Sequence, residues 1–203
     1  MDADSVVEAW SSRAGEFSPR YYAYYGPNQA SDRLLRLLET SFTTDAAILE
    51  LGCSSGRHLA HLFEHGYRDL TGIEVNPDAF DVMDEAYPDL AAAGTFYRDR
   101  IETVLPDLPD NRFDVVFSVE TLQHIHPDND WVFDEIARIT DDMLVTVEIE
   151  HDIEGTDRAM KYVDADIPLY YRDWKTVFSA VAFTQREMAD FHRATLRVFS
   201  RRR

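Results

Sequence analysis

Within seven residues, Glu50 to Gly56, the chain places a carboxyl group, two glycines, a cysteine and two serines. They overlap a short apolar run, Ile48-Leu49-Glu50-Leu51, suited to a buried parallel strand. Leu59, Leu62 and Phe63 then recur at helical spacing. Ala46–Leu62 therefore reads strand, tight turn, helix. Such a unit brings backbone N–H groups and the positive end of a helix to the carboxyl edge of a sheet, where nucleotides and related ligands bind. Glu74 ends the next strand, Leu70 to Val75, 24 positions after Glu50. An acid there can accept hydrogen bonds from both hydroxyls of a ribose. His124 carries a side chain whose unperturbed pKa lies near neutrality, apt for a general base, for ordering its loop or for touching a cofactor. A metal centre is not expected: His124 and His126 neighbour only Asp128 and Asp130, and coherent ligand spacing is lacking.

The elements that must position these residues follow in order. Residues 1 to 20 read as helical, with Val6, Val7 and Trp10 on one side and a break at Ser18-Pro19. Four tyrosines in five residues come next, Tyr21, Tyr22, Tyr24 and Tyr25. They suit either an aromatic patch closing the core or a lid stacking on cofactor or substrate, because tyrosine offers an apolar face and a hydroxyl. Ser31 to Leu38 is predicted as a helix with Ser31 as its N-cap. Beyond Glu74, helix Pro77–Tyr87 leads to a strand and loop over Thr95–Ile101. Phe113 to Val119 is the clearest strand, and a helix over Asp130–Ile139 and a strand over Met143–Glu150 follow it. His151 to Arg172 is a long connection of mixed character, of the kind that selects substrates, with Tyr170, Tyr171 and Arg172 as candidate pocket residues. Asp173–Val181 reads as a helix, and 184–191 with 194–199 as a terminal antiparallel hairpin.

Two readings of the turn are separable. A dinucleotide fingerprint counted from Gly52 would fall on Gly52, Ser54 and Arg57, and a large charged Arg57 does not allow the close helix–strand packing its last position requires. Glu50 to Gly56 instead resembles motif I of the class I S-adenosylmethionine (SAM) dependent methyltransferases, [DE]-x-G-x-G-x-G, with Ser54 in place of the middle glycine. FDVVFSVETLQHI, from Phe113 to Ile125, is similar to that family's motif IV in its small-molecule members, and Glu74 falls at motif II.

The resemblance implies SAM as cofactor and transfer of its methyl group to a small-molecule acceptor. It implies a doubly wound Rossmann-like α/β fold, a mostly parallel seven-stranded sheet with a C-terminal antiparallel hairpin. One domain over 1–203 is expected, with a helical lid and lead-in at 1–45 and the core at 46–203. Glu50, Gly52, Cys53, Ser54 and Gly56 would pass under the cofactor's amino-acid part, and Glu74 and Val75 would meet the ribose. Asp99, Arg100 and Ile101 would surround adenine, and Val119 and Glu120 the methionine end. Tyr21, Tyr22, Tyr170 and Tyr171 would face the acceptor, with His124 as candidate base. An NAD-dependent oxidoreductase and a non-catalytic SAM-binding regulator remain the alternatives.

Composition narrows the setting. There are 38 acidic against 20 basic residues, a formal net charge of −18 dispersed along the chain. Such a surface self-repels at low salt and is tolerated where counterions screen it, which suggests a salt-rich cytoplasm such as that of halophilic archaea. It also argues against a nucleic-acid partner, since phosphates need Lys or Arg on the binding face. No apolar run approaches the roughly 18 to 20 residues needed to span a bilayer, so no membrane partner is expected. Cys53 is the only cysteine, which excludes an intrachain disulfide and a cysteine-rich metal site. The acidic N-terminus lacks a signal-peptide pattern.

Overall fold

The computed structural model describes residues 1–150, 159–163 and 167–202. Nine strands are described: β1 (Ile48–Leu51), β2 (Leu70–Glu74), β3 (Thr95–Arg98), β4 (Phe113–Val119), β5 (Thr140–Glu148), β6 (Met160–Val163), β7 (Ile167–Tyr170), β8 (Phe183–Phe191) and β9 (Ala194–Arg201). Seven form one sheet in the order β3-β2-β1-β4-β5-β9-β8. β1 to β5 pair in parallel, and β9 joins β5 antiparallel with β8 outside it. This is the expected α/β sheet with its terminal hairpin. Strand order reverses between β1 and β4, and the carboxyl ends of strands flanking such a reversal form the crevice where this architecture binds ligands.

The central strands are apolar on both faces because helices cover both. Ile48, Val115, Phe117 and Val145 pack on one side with α3 (Gln29–Ser41) and α4 (Arg57–Glu64). Leu49, Leu51, Val116 and Leu144 pack on the other with α8 (Val132–Ile139) and α9 (Trp174–Ala180). The alternation places Glu50 on the α3–α4 side, buried and at the cavity edge.

The N-terminal region differs from its expectation in detail. It forms α1 (Ala3–Ser11) and α2 (Pro19–Tyr25), and the tyrosine cluster lies within α2. Ser18 caps α2 with Pro19 at its first turn, where a missing N–H costs nothing. Ser31 does not cap α3. Asn28 does, accepting from the Ala30 and Ser31 N–H groups, while the Ser31 hydroxyl accepts from the Asn28 N–H. This reciprocal box starts the helix earlier because both residues satisfy otherwise orphaned donors.

Part of the expected connection from His151 to Arg172, 151–158 and 164–166, lies outside the described residues. Its described parts are ordered: β6 and β7 pair antiparallel as a separate ribbon. Two further short helices, α6 (Pro88–Ala93) and α7 (Ile101–Val104), stand on either side of β3, and α5 (Asp78–Ala86) follows β2.

Gly72, in the middle of β2, has a packing reason. A Cβ there would stand 2.6 Å from the Cys53 Sγ and 3.0 Å from Phe96, so this glycine lets the turn after β1 lie flat on the sheet. Gly72→Ala is expected to lower unfolding free energy by about 1–3 kcal/mol through overpacking, with part recovered by adding Cys53→Ala. Denaturant unfolding checks this, and an unchanged midpoint for the single variant would contradict it.

Candidate functional site

The turn between β1 and α4 is built from left-handed backbone. Gly52, Ser54 and Gly56 have φ of 70°, 48° and 81°. Gly52 is obligatory for a second reason: a Cβ there would collide with the Thr121 side chain in the loop after β4. Ser54, the departure from the glycine pattern, takes the positive φ anyway. Its N–H donates to Glu74 Oε2 at 2.8 Å, which offsets the strain of a non-glycine residue there.

Three more donors of the turn also point inward. Gly52 and Cys53 N–H both donate to the Ile73 carbonyl, and Gly56 N–H to the Cys53 carbonyl. The expectation that this turn offers backbone donors to a ligand is therefore corrected at Gly52, Cys53, Ser54 and Gly56, whose N–H groups are engaged within the protein. A pyrophosphate would find none of these four available. A cation would meet no donors from them.

Above the turn lies a cavity of about 530 Å³ at the β1–β4 switch point. Glu50, Gly52, Cys53 and Ser54 form its floor, with Glu74 and Val75 beside them. Asp99, Arg100 and Ile101 line one end, and Val119, Glu120 and His124 another stretch. Tyr21 and Tyr22 of α2 belong to its roof. The sequence thus identified residues from five separated segments that the fold brings together. Among the described residues Gly56, Tyr170 and Tyr171 are not in the wall. A Cβ on Gly56 would instead meet Met83 and Leu90 at 2.9 and 3.1 Å, so this glycine serves packing. Tyr170 and Tyr171 lie at and just beyond the end of β7, where Tyr170 meets the His126 ring edge-on.

Several wall residues were not anticipated. Trp10 of α1 packs edge-on against His124, ring centroids 4.7 Å apart. Asn76, buried, donates its side-chain amide to the Trp10 and Arg13 carbonyls at 3.2 and 3.1 Å, tying the α1–α2 segment over the cavity. Arg193, in the β8–β9 turn, pairs with Glu120, while neighbouring His192 meets Gln29 at 3.0 Å. Arg57, directly after the turn, lies 4.6 Å over the Tyr22 ring. None of these contacts is local in sequence, so periodicity could not disclose them.

The loop after β4 is held by a carboxylate that the sequence reading passed over, Glu148 at the end of β5. It accepts from the Ser118 hydroxyl and from the Thr121, Leu122 and Gln123 N–H groups at 3.2, 3.1 and 3.2 Å. An acid inside the apolar run Met143–Ile149 was the available sequence clue. Burial pushes its pKa up to about 7 against the pull of these hydrogen bonds. His124 Nδ1 lies 2.8 Å from the Pro168 carbonyl, the arrangement of an Nδ1–H donor. Burial lowers its pKa to about 4, so the imidazole is neutral near pH 7. Arg172 donates to the Ile125 carbonyl and Asp130, both at 2.8 Å, bracing the same loop from behind.

Glu50 and Glu74 give the floor its electrostatic character. Glu50 Oε2 is buried with no hydrogen-bond partner. Burial, reinforced by Glu74, holds its carboxyl well above the usual range despite Arg57. Glu74 is also raised by burial, and its oxygens are fixed by the Ser54 and Asn76 N–H groups, each at 2.8 Å. Burial raises the Cys53 thiol well above its ordinary value, so it is no thiolate. Among the described residues no cluster of His, Cys, Asp and Glu could hold a metal ion.

Residues 48–142, spanning β1 to the start of β5, match a family profile described as a methyltransferase domain. The match covers 95 of the 203 residues and likens this part of the chain to a methyltransferase domain. The fold is shared with a Burkholderia thailandensis 1,6-didemethyltoxoflavin-N1-methyltransferase holding S-adenosylhomocysteine (TM-score 0.67, 17% identity, 86% of this chain and 78% of that one). It is shared with a Synechocystis magnesium protoporphyrin IX methyltransferase holding SAM (TM-score 0.69, 15% identity, 100% and 98%). A Mesorhizobium loti SAM-dependent methyltransferase superposes equally (TM-score 0.67, 16% identity, 85% and 99%). No curated protein sequence matches the chain at a significant level. The NAD and non-catalytic alternatives find no support in these likenesses.

Burial holds Glu148 at about 7 in the folded protein, against an ordinary value of 4.5. Its folded-state value is the higher one, so its contribution favours folding at low pH and is lost as pH climbs through about 7. Wild-type stability is therefore expected to fall relative to Glu148→Gln from about pH 5 to pH 7. Parallel stability–pH curves for the two proteins would contradict this.

Proposed function

We propose that this protein is a SAM-dependent methyltransferase that moves the methyl group of SAM to a small-molecule acceptor held between the turn after β1, the loop after β4 and the α1–α2 roof. The observation that carries this reading is the acid-lined, donor-poor floor. Glu50 offers an unpaired oxygen, Glu74 two oxygens fixed by backbone N–H groups, and four turn amides are directed away. Such a floor of hydrogen-bond acceptors fits a compound with a ribose and an α-ammonium group to donate to it.

Bound SAM would supply an electrophilic methyl carbon; the protein's work is positioning and water exclusion. Each Glu74 oxygen keeps a lone pair for one ribose hydroxyl. Val75 would flank the ribose, Asp99, Arg100 and Ile101 the adenine, and Gly52, Cys53 and Ser54 the amino-acid part. Val119 and Glu120 would border the methionine end, with Tyr21 and Tyr22 toward the acceptor. We assign His124 to ordering the loop. Its Nδ1 faces the Pro168 carbonyl, its Nε2 lies 3.3 Å from the Gln123 amide nitrogen, and its depressed pKa makes it a poor base.

A small acceptor is supported by the cavity's size, within the roughly 300–1,000 Å³ of small-ligand sites. The two methyltransferases with described substrates named above act on a small heterocycle and a porphyrin, in line with this. The dispersed charge of −18 supports a salt-rich cytoplasm and disfavours a nucleic-acid substrate.

The test uses methyl-labelled SAM with separate pools of metabolites, nucleic acid and protein. Label entering low-mass metabolites is expected; label entering only a macromolecular pool, or none, would contradict the proposal. Glu74→Ala should weaken S-adenosylhomocysteine binding by roughly 1–3 kcal/mol if charge-assisted ribose bonds are lost. Unchanged affinity would remove its assigned role.

A further inference from the structure

Arg100 pairs with Asp4 and Arg193 with Glu120. Arg57, at the cavity wall, makes no ion pair with any described residue, although it lies in a chain with 38 acidic residues. Its guanidinium is nevertheless fixed. The Nε–H donates to His58 Nε2 at 3.3 Å, and the face lies on Tyr22 at 4.6 Å.

His58 is itself anchored and neutral. Its Nδ1 sits 2.8 Å from the Ser31 hydroxyl, and burial drives its pKa well below the ordinary value. With Nε2 accepting from Arg57, Nδ1 carries the proton and donates to Ser31. Arg57 thus presents its terminal N–H groups from a held position, with no hydrogen bond to them from any described residue. Glu50 Oε2, buried and unpaired, lines the same cavity, and no ion pair joins the two.

An unpaired guanidinium suits the carboxylate of an amino-acid ligand, and the Glu50 oxygen without a partner, across the same turn, can accept from its ammonium group. Resting on the SAM reading above, we propose that Arg57 is the residue that binds the α-carboxylate of the cofactor's methionine part, with Tyr22 as its positioning platform. Arg57 is suited to this because a planar fork can take both carboxylate oxygens at once. Tyr22 also links the α2 roof to this contact, so the roof and the cofactor's amino-acid end are recognised together.

The test is calorimetric titration with two ligands differing only in that carboxylate: S-adenosylhomocysteine and its decarboxylated analogue, 5′-S-(3-aminopropyl)-5′-thioadenosine. Wild type should prefer the complete ligand. Arg57→Met, which keeps the apolar stem, should weaken the complete ligand about ten- to a hundredfold and leave the analogue within about twofold. Tyr22→Leu should reduce the same ratio by a smaller factor, whereas simple loosening of the fold would weaken both ligands alike.

Equal weakening of both ligands by Arg57→Met, or no weakening of either, would overturn the proposal. Should Arg57→Met not fold, the wild-type ratio decides: equal affinity for the two ligands overturns the assignment. Failure of both ligands to bind folded wild type would overturn the SAM reading as well. Binding of both with no effect of Arg57 would overturn only the carboxylate assignment.

Discussion

Where a parallel strand ends, its backbone donors lose their ladder and must find other acceptors. At the carboxyl edge of this sheet, two glutamates supply them. Glu74 takes the Ser54 N–H and so draws the turn after β1 against β2. Glu148 takes three consecutive N–H groups and so folds back the loop after β4. The two segments then meet at Gly52 and Thr121, where there is no room for a Cβ. The cavity is the space these carboxylates leave between the segments they hold.

Turning the amides inward sets the chemistry. A phosphate-binding turn directs its N–H groups at an anion, whereas this one spends four of them on the protein's own carbonyls and Glu74. The remaining polar character of the floor is acidic, with Arg57 set to one side. The roof is added by long-range contacts: Asn76 to α1, Trp10 to His124, and the β8–β9 turn through Arg193 to Glu120 and His192 to Gln29.

Much of this was legible in the sequence because buried parallel strands and amphipathic helices write their burial into local periodicity. The five strands, the hairpin, Glu50, Glu74 and the motif turn were all placed that way or by resemblance. The β6–β7 ribbon was not, since a short ribbon outside the main sheet carries little patterning. Asn28 was missed as a cap because Ser31 offered an equally good local candidate, and only the reciprocal bond distinguishes them. Glu148 and Arg193 escaped notice, and Arg57 was read only as arguing against a dinucleotide turn, because their meaning lies in contacts set by tertiary packing. Tyr170 and Tyr171 were expected in the wall because they belong to a long connection, yet β7 supplies the Pro168 carbonyl behind His124 instead.

The central claim is that the floor beside Glu50 and Glu74 receives an adenosyl sulfur compound and no dinucleotide. The most direct measurement is a pair of calorimetric titrations, with S-adenosylhomocysteine and with NAD, in high-potassium buffer that screens the acidic surface. Saturable binding of S-adenosylhomocysteine and no heat from NAD is the predicted result. Binding of NAD alone, by protein shown to be folded, would contradict it.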